Sequence, residues 1–320
     1  MSTLTTPTPV TARRSKFKRS APSPLRLTED DLAIVRHIAK HRFLRSTQLA
    51  QLMPHRSPKK LLERLTALFH GAYVDRPRAQ LDYFATAGSA PMVYALGNRG
   101  ALLLAEHDGM DRAQIDWTWK NRSVGRQFID HTLMVADVMV AAACASRFHP
   151  DVKLMEAKHI LAAAPDATRH AGNPFKLKTR TSYGGSLVDV SVIPDAVFGL
   201  DFTVERRRKY FLLEADRATM PIVRPDLNQT SFTRKLVAYL AGGGKSNAFG
   251  AHFGIGNFRV LTVTTSAERM ATMIDALKEL TGGAGSQQFL FVDRTALRDC
   301  SDLLSLVWTT GKGDRVSLAD

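Results

Sequence analysis

The sequence predicts an α/β fold overall, of the α+β kind, with a small helical first domain and a larger second domain built on a mixed sheet. Two observations lead to this prediction. Between residues 25 and 110, apolar residues recur at helical spacing and are followed by two short β-prone segments. Between residues 126 and 320, strand-like runs alternate with helical ones. At 320 residues, the chain has the length of about two domains.

The charge of the chain favours a polyanionic partner. Lys and Arg number 44 against 30 Asp and Glu, which gives a net charge of +14 and a pI near 10.0. The first 120 residues carry most of the excess, with 19 basic and 10 acidic side chains. The sequence shows no secretory signal, and its two cysteines suit a reducing compartment. We therefore expect a cytoplasmic protein that does not act at a membrane.

Residues 1–24 are rich in Ser, Thr, Pro and basic residues, and they predict a disordered basic arm. Such an arm either adds phosphate contacts or is a solvated tail, and the sequence leaves both alternatives open. Residues 111–125 contain two tryptophans among polar residues and are interpreted as a connector that docks on the following domain. The predicted organisation is an arm at 1–24, a domain at 25–110, a connector at 111–125 and a domain at 126–320.

Three helices are predicted in the first domain. Thr28 and Asp31 form a capping box at the start of the first helix, which runs to about Lys40. Ser46 is the expected N-cap of a short second helix that ends at Pro54. The third helix has Ser57 as its N-cap and ends at Gly71. Two strands at 73–78 and 92–96 then form a hairpin, and a further helix follows from 98 to 107. This order is typical of a winged helix-turn-helix.

The third helix has a basic outward side that predicts contact with double-stranded DNA. Its apolar stripe leaves the basic side chains facing outward, where they would contact phosphates, and an arginine there could reach a guanine edge. Two arginines of the hairpin would act as wing contacts, and a glutamine of the second helix is a weaker candidate. The alternative is an ordinary solvated helix face. The candidate DNA-binding residues are Lys59, Lys60, Arg64, Arg76, Arg78 and Gln48.

The second domain is predicted to open with a long buried helix at 127–148, on which His131 and Asp137 are more typical of structural polar groups. Strands are expected at 152–158, 187–198, 209–215, 259–264 and 289–292, and helices at 232–240 and 267–280. A long basic loop is expected at 162–185.

Three carboxylates are expected at one edge of the second sheet. A Pro-Asp turn places Asp195 before one strand, and Glu214 and Asp216 end the next. Such a cluster suits a hard divalent cation, Mg²⁺ or Mn²⁺, which takes oxygen ligands and can hold a phosphodiester. The alternative is that these carboxylates pair with neighbouring arginines or with Lys235 in a structural network. The metal ligands would be Asp195, Glu214 and Asp216.

The order of these segments resembles the replication-relaxation family of plasmid and mobile-element proteins, over roughly residues 26–310. The segments are L-T-E-D-D-L-A-I-V-R-H-I-A-K-H-R-F-L at 27–44, V-Y-A-L-G-N-R-G at 93–100, F-I-D-H-T-L-M-V-A-D at 128–137, and I-P-D-A-V-F with L-L-E-A-D-R-A-T. The resemblance implies DNA binding and a role in the replication or transfer of a mobile element. It does not by itself imply an enzyme.

The second domain also resembles a restriction-endonuclease-like core of the PD-(D/E)XK type. Asp195 matches the first carboxylate of that pattern and Glu214 the second, but Asp216 stands where the pattern has lysine. A carboxylate there adds negative field where lysine would offset the charge of the phosphate. Lys235, on the following helix, could supply the missing cation. The candidate catalytic set is therefore Asp195, Glu214, Asp216 and Lys235, within a domain that is degenerate as a nuclease.

Three functions are compatible with the sequence. The first is a DNA-binding accessory or regulatory protein of a plasmid, phage or integrated element, with a relaxase or replication proteins as possible partners. The second is an Mg²⁺- or Mn²⁺-dependent DNA endonuclease. The third is a winged-helix transcriptional repressor whose second domain senses a ligand or mediates oligomerisation, with a homodimer as one alternative for its assembly.

Overall fold

The computed structural model describes residues 16–21, 24–81, 90–109, 111, 116–224, 226–244 and 246–320. The chain divides into two compact units, Met1–Ile129 and Asp130–Asp320. The larger unit contains a mixed sheet with helices on both faces, and the smaller contains helices around a short sheet. The fold is α/β, which confirms the class predicted from the sequence.

The first unit consists of short helices and one small antiparallel sheet. Its sheet has the order β1-β3-β2, so the last strand in sequence lies in the middle. A short 3₁₀ helix, Arg78–Gln80, follows β2. The elements are α1 (Glu29–His41), β1 (Phe43–Arg45), α2 (Ser46–Leu52), α3 (Pro58–His70), β2 (Val74–Asp75), β3 (Val93–Leu96), α4 (Asn98–Asp108) and α5 (Trp117–Ser123).

The predicted caps of α1 and α3 are confirmed. Thr28 and Asp31 form the capping box of α1, with the Thr28 amide donating to Asp31 Oδ2 at 2.7 Å. The side chain of Ser57 accepts from the Lys60 amide at the start of α3, and Gly71 ends that helix. These bonds satisfy amide groups that the first turn of a helix leaves free. The sequence therefore determines where both helices begin.

Two glycines in the V-Y-A-L-G-N-R-G segment permit a close backbone approach. A Cβ on Gly97 would lie 2.4 Å from the Ala72 carbonyl oxygen, and one on Gly100 would lie 2.2 Å from that of Tyr73. The Gly97 amide donates to the Tyr73 oxygen at 3.0 Å. Any side chain at either position would push α4 away from the β2 turn. These glycines have a structural role in joining β3 to α4.

The end of the predicted basic arm is fixed by buried contacts. Arg19 bonds to the carboxylate of Asp75, and its Nε donates to the Phe69 carbonyl oxygen at 2.8 Å. The Ser20 amide donates to His70 Nδ1 at 3.1 Å. The prediction of a disordered arm was wrong for residues 16–20, because Arg19 neutralises a buried carboxylate. Residues 1–15 and 22–23 lie outside the described residues.

Part of the predicted connector is a helix that packs within the first unit. Asn121 of α5 is 3% exposed, and its Nδ2 donates to Asp75 Oδ2 at 2.9 Å and to the Leu96 carbonyl oxygen at 2.8 Å. The sequence placed this helix in a connector, and the structure assigns it to the first unit. The reason is that Asn121 supplies hydrogen bonds that buried groups of β2 and β3 require. Residues 112–115 are outside the described part.

The second unit contains a seven-stranded sheet and a separate hairpin. The sheet order is β12-β11-β10-β9-β8-β7-β4; β8, β9 and β10 are parallel, whereas the other neighbouring pairs are antiparallel. Helix α6 starts just before the boundary of the unit. The elements are α6 (Arg126–Ala145), β4 (Val152–Glu156), α7 (Ala157–Ala162), α8 (Asp166–Arg169), β5 (Leu177–Tyr183), β6 (Ser186–Val192), β7 (Ala196–Phe202), β8 (Arg207–Ala215), α9 (Phe232–Gly243), α10 (Ala248–Phe253), β9 (Phe258–Thr264), α11 (Ala267–Leu280), β10 (Phe289–Asp293), α12 (Arg294–Asp299), β11 (Trp308–Thr310) and β12 (Arg315–Val316).

Strand β8 separates two hydrophobic cores. Leu212 packs in the core that contains residues of α9 and α11, whereas its neighbour Leu213 packs in the core that contains residues of α6. Successive side chains of a strand point to opposite faces of a sheet. Glu214 therefore follows Leu212 onto the α9 face, and the parity of the strand explains how a carboxylate comes to lie under that helix.

Two predictions of secondary structure in this unit were wrong, one of a loop and one of a strand. The basic loop expected at 162–185 contains α8 and β5, and β5 pairs with β6 as a two-stranded hairpin. The single strand expected at 187–198 is two strands, β6 and β7, which belong to different sheets. Ile193 and Pro194 separate them, because proline lacks the amide that a central strand requires. The break leaves Asp195 at the start of β7.

Helix α6 is, in the described part of the chain, the one helix long and apolar enough to cross a membrane by length and composition. A core helix of similar composition passes the same test. More than half of α6 is buried within the protein. Met134, Val138 and Ala142 pack against the sheet in the second core. The apolar character of α6 is explained by this packing.

Candidate functional site

Asp195 and Glu214 meet at the end of strand β8. The Asp195 amide donates to the Leu213 carbonyl oxygen at 2.8 Å, and the Ala215 amide donates to Asp195 Oδ2 at 2.8 Å. These two bonds flank Glu214 in sequence and extend the pairing of β7 with β8. The turn after Pro194 therefore fixes the position of the Asp195 carboxylate beside that strand end.

Glu214 is a fully buried carboxylate that is held by two side chains of α9. It is 1% exposed; its Oε2 accepts from Lys235 Nζ, and its Oε1 accepts from the Tyr239 hydroxyl at 2.5 Å. Lys235 and Tyr239 are four residues apart and therefore project from the same side of α9. Burial raises the pKa of Glu214 to about 7, against the opposing effect of the Lys235 charge. Burial also raises the pKa of Tyr239 well above its usual value.

Asp195 forms an ion pair with a histidine of α6. His131 Nε2 lies 3.1 Å from Asp195 Oδ1. This hydrogen bond raises the pKa of His131 above its usual value, although burial opposes the shift. Burial by itself would raise the pKa of Asp195, but the bond to His131 and the charge of Lys235 hold that pKa below its usual value. The pair is therefore charged over an extended range of pH.

Asp216 is held by residues other than those that hold Glu214. Arg269 of α11 donates two hydrogen bonds to it, from Nε to Oδ2 at 2.5 Å and from Nη2 to Oδ1 at 2.8 Å. The Thr264 hydroxyl donates to Oδ2 at 2.8 Å. A bidentate arginine bond of this kind fixes both oxygens of a carboxylate. Asp216 therefore serves as an anchor between β8, β9 and α11.

The predicted metal ligands do not fit a divalent cation in this arrangement. The oxygens of Glu214 are bonded to Lys235 and Tyr239, and those of Asp216 to Arg269, so a cation would have to replace positive or donating groups. No group of three His, Cys, Asp or Glu side chains within the described residues is placed to hold a metal ion. The expectation of an Mg²⁺ or Mn²⁺ site at Asp195, Glu214 and Asp216 has no support from this donor set.

The structure brings three of the four predicted catalytic residues into one polar cluster, which we name the strand-end cluster: His131, Asp195, Glu214, Lys235 and Tyr239. The predicted reach of Lys235 back to the sheet agrees with its bond to Glu214. The sequence favoured a structural role for His131 but did not identify Asp195 as its partner, and the contact of Tyr239 with Glu214 was missed. The sequence contains a signal for each residue: His131 lies in the F-I-D-H segment, and Tyr239 lies one helical turn after Lys235.

A second polar contact joins the F-I-D-H segment to the L-L-E-A-D-R segment. Arg217, in the L-L-E-A-D-R segment, lies 3.2 Å from Asp130 in the F-I-D-H segment. Together with the bond between His131 and Asp195, it links the start of α6 to the ends of β7 and β8. The three segments of the second unit that resemble the family are therefore joined in space by charged pairs.

Lys59 and Lys60 are the most accessible of the predicted DNA-binding residues. Both are exposed in the first turn of α3, and neither has an ion-pair partner among the residues that the structure describes. Arg78 is also exposed, in the 3₁₀ helix after β2. These three cations are free to contact a phosphate.

The other predicted contacts are occupied or buried. Arg64 bonds to Asp31, a carboxylate with no exposed surface, and Arg76 donates to the Lys16 carbonyl oxygen at 2.8 Å. Gln48 is 3% exposed, and its Oε1 accepts from the Arg45 amide at 2.8 Å. The expectation that Gln48 is accessible was wrong, because its side chain caps α2. The outward position expected for Arg64 was also wrong, because Asp31 draws its guanidinium inward.

By its fold and its strand-end cluster, the chain is a two-unit α/β protein in which charged pairs join the first helix of the second unit to a mixed sheet. The chain belongs to the replication-relaxation family, whose sequence model matches residues 35–248. That match covers the segments at 93–100 and 128–137 and the whole strand-end cluster. No curated protein and no solved structure matches the chain. Family membership supports a role in the replication or relaxation of a plasmid or other mobile element.

Proposed function

We propose that this chain is a DNA-binding accessory or regulatory protein that acts in the replication, relaxation or mobilisation of its element. Its first unit would be a winged helix that binds double-stranded DNA. Helix α3 would lie against the duplex, and β2 and β3 would form the base of the wing. Relaxase or replication proteins of the same element are the partners that this role implies.

The observation that carries the proposal is the pair of exposed lysines at the start of α3. Ser57 caps that turn, so Lys59 and Lys60 project from a rigid helix end. Backbone amides and the helix dipole at an N-terminus add to the attraction for phosphate. The net charge of +14 supports a polyanionic partner for the chain as a whole.

The test is a salt titration of duplex binding. Lys59→Ala with Lys60→Ala should weaken binding to a fluorescein-labelled duplex and lower the slope of log affinity against log salt by about 1.8, since each lost phosphate contact contributes about 0.9. The matched control is Lys153→Ala with Lys158→Ala, which removes the same charge from exposed positions of the second unit. Equal behaviour of the two double variants would reject the α3 assignment.

Metal-dependent DNA cleavage is a second candidate function, favoured by the contact of Lys235 with Glu214 close to Asp195. The same contact occupies an oxygen that a cation would need. We therefore propose that the second unit uses the strand-end cluster for structure, and that the protein binds DNA without cutting it.

A further inference from the structure

The first unit has a concave pocket of about 510 Å³ on residues other than the two lysines of α3. It is lined by four segments: residues 17–19, Phe69 of α3, residues 75–78 at and after the end of β2, and helix α5. Its volume lies within the range of about 300–1,000 Å³ that is typical of small-molecule sites. The pocket is therefore large enough for a compact polar ligand.

Three cations at the rim of this pocket have no side-chain partner among the described residues. Lys18, Arg78 and Arg122 line it and are exposed, and none of them forms an ion pair or hydrogen bond through its side chain within the described residues. Three like charges around one concavity repel one another. No carboxylate of the described residues is paired with them, so this repulsion is not offset. An anion bound between them would relieve that repulsion.

The wall of the pocket is fixed by two further arginines. The guanidinium of Arg76 lies 4.3 Å from the centre of the Phe69 ring, and that of Arg19 lies 5.0 Å from it. Asp75 is the one carboxylate among the described lining residues, and it is bonded to Arg19 and to Asn121. The charge of Asp75 is therefore offset, and the pocket presents a rigid positive surface.

Aromatic and apolar surface adjoins these charges. Phe17 is half-buried and lines the pocket together with Pro77. A ligand with both an anionic group and a flat apolar group fits such a surface better than a simple anion does. Proteins that bind single strands combine basic grooves with aromatic side chains in this way.

We propose that this pocket binds one nucleotide unit of a single DNA strand, with its phosphate between Lys18, Arg78 and Arg122 and its base or sugar against Phe17. A base within a duplex is paired and stacked and does not enter a concave site, whereas a base of a single strand does. The inference goes beyond duplex binding by α3 and rests on different residues. Such a site would let the protein hold both duplex and opened DNA.

The experiment compares two double variants on two probes. Fluorescein-labelled oligodeoxythymidylate is the single-stranded probe, and a labelled duplex of equal length is the other. Lys18→Ala with Arg122→Ala should weaken binding of the single strand at least ~10-fold, since a hydrogen bond to a charged group contributes about that much. Both side chains are exposed, so the fold should persist, which circular dichroism would verify.

Lys59→Ala with Lys60→Ala is the matched control, because it removes the same charge from the same unit. It should lose duplex affinity and keep the single strand. Deoxythymidine monophosphate should compete for the pocket of the wild-type protein, and Phe17→Ala should weaken that competition.

Unchanged single-strand affinity after Lys18→Ala with Arg122→Ala would overturn the inference, and so would an equal loss for both probes. Failure of the duplex proposal has a different result, in which Lys59→Ala with Lys60→Ala changes neither probe. The two proposals can therefore fail separately.

Discussion

Replacing Lys235 by methionine tests the electrostatics of the strand-end cluster. Methionine keeps much of the apolar length of lysine but removes the cation that contacts Glu214. Because Glu214 is 1% exposed, its carboxylate would then be buried beside the negative Asp195 without a compensating charge. We expect Lys235→Met to destabilise the second unit, and the loss to grow as the pH rises.

The magnitude follows from the proton that Glu214 must take up. Burial raises its pKa in the folded protein to about 7, from 4.5. A raised carboxyl pKa contributes stability at low pH, and that contribution declines as pH rises from about 4.5 towards the folded pKa. In the wild type this decline ends near pH 7, but in Lys235→Met it continues, because loss of the cation moves the pKa higher.

The free energies of unfolding of the wild type and of Lys235→Met therefore diverge above pH 7, by up to about 1.4 kcal/mol per pH unit. By about pH 9 the difference reaches roughly 3 kcal/mol, at the lower end of the 3–5 kcal/mol typical of breaking a buried pair. Lys235 adds no pH dependence of its own below about pH 9, since its pKa is raised from 10.5 by Glu214 and Asp195 although burial opposes the shift.

The assay is urea unfolding from about pH 6 to about pH 9. Trp308 is fully buried in the second unit and reports on it when Trp117 and Trp119 are replaced by Phe. The control combines Glu214→Leu with Lys235→Met; it removes the titrating group and should show little change with pH. Equal losses for Lys235→Met at the two ends of the range would refute the reasoning.

Two further predictions concern the same cluster. In Asp195→Asn, the pKa of His131 should fall towards its usual value, because the hydrogen bond and negative charge that raise it are gone; an NMR titration of the imidazole would measure this, and an unchanged pKa would contradict the ion pair. The stability that His131 gains from Asp195 is present below pH 6.5 and is lost as pH rises through its raised pKa. Supercoiled DNA incubated with the wild-type protein should stay intact both with Mn²⁺ and with chelator. Mn²⁺-dependent nicks that disappear in Asp195→Ala would instead establish a nuclease.

The caps and periodicity of the first unit could be predicted from the sequence because they depend on neighbours. Ser57, Pro58 and Gly71 lie within one helix and its ends, so local chemistry determines where α3 begins and ends. The inward turn of Arg64 could not be predicted in the same way. Its partner, Asp31, lies on another helix 33 residues earlier, and only the packing of α1 against α3 brings them together.

In the candidate site, too, some features could be predicted from nearby residues and others depend on contacts between distant residues. A Pro-Asp turn before one strand and a carboxylate pair at the end of the next placed Asp195 and Glu214 at one edge of the sheet, and that expectation needed only the order of the two strands. The partner of Asp216 could not be found so simply, since Arg269 is 53 residues away on α11. A carboxylate at a strand end is compatible with a metal or an arginine, and only the register of β8 and β9 with α11 decides between them.

The partners of Asp75 have a consequence for synthesis of the chain. Arg19 and Asn121 both bond to this carboxylate, and about 100 residues separate them. A buried carboxylate that lacks its donors carries a large desolvation cost. Asn121 lies 46 residues after Asp75, so the chain must be synthesised through α5 before this carboxylate can receive both of its donors.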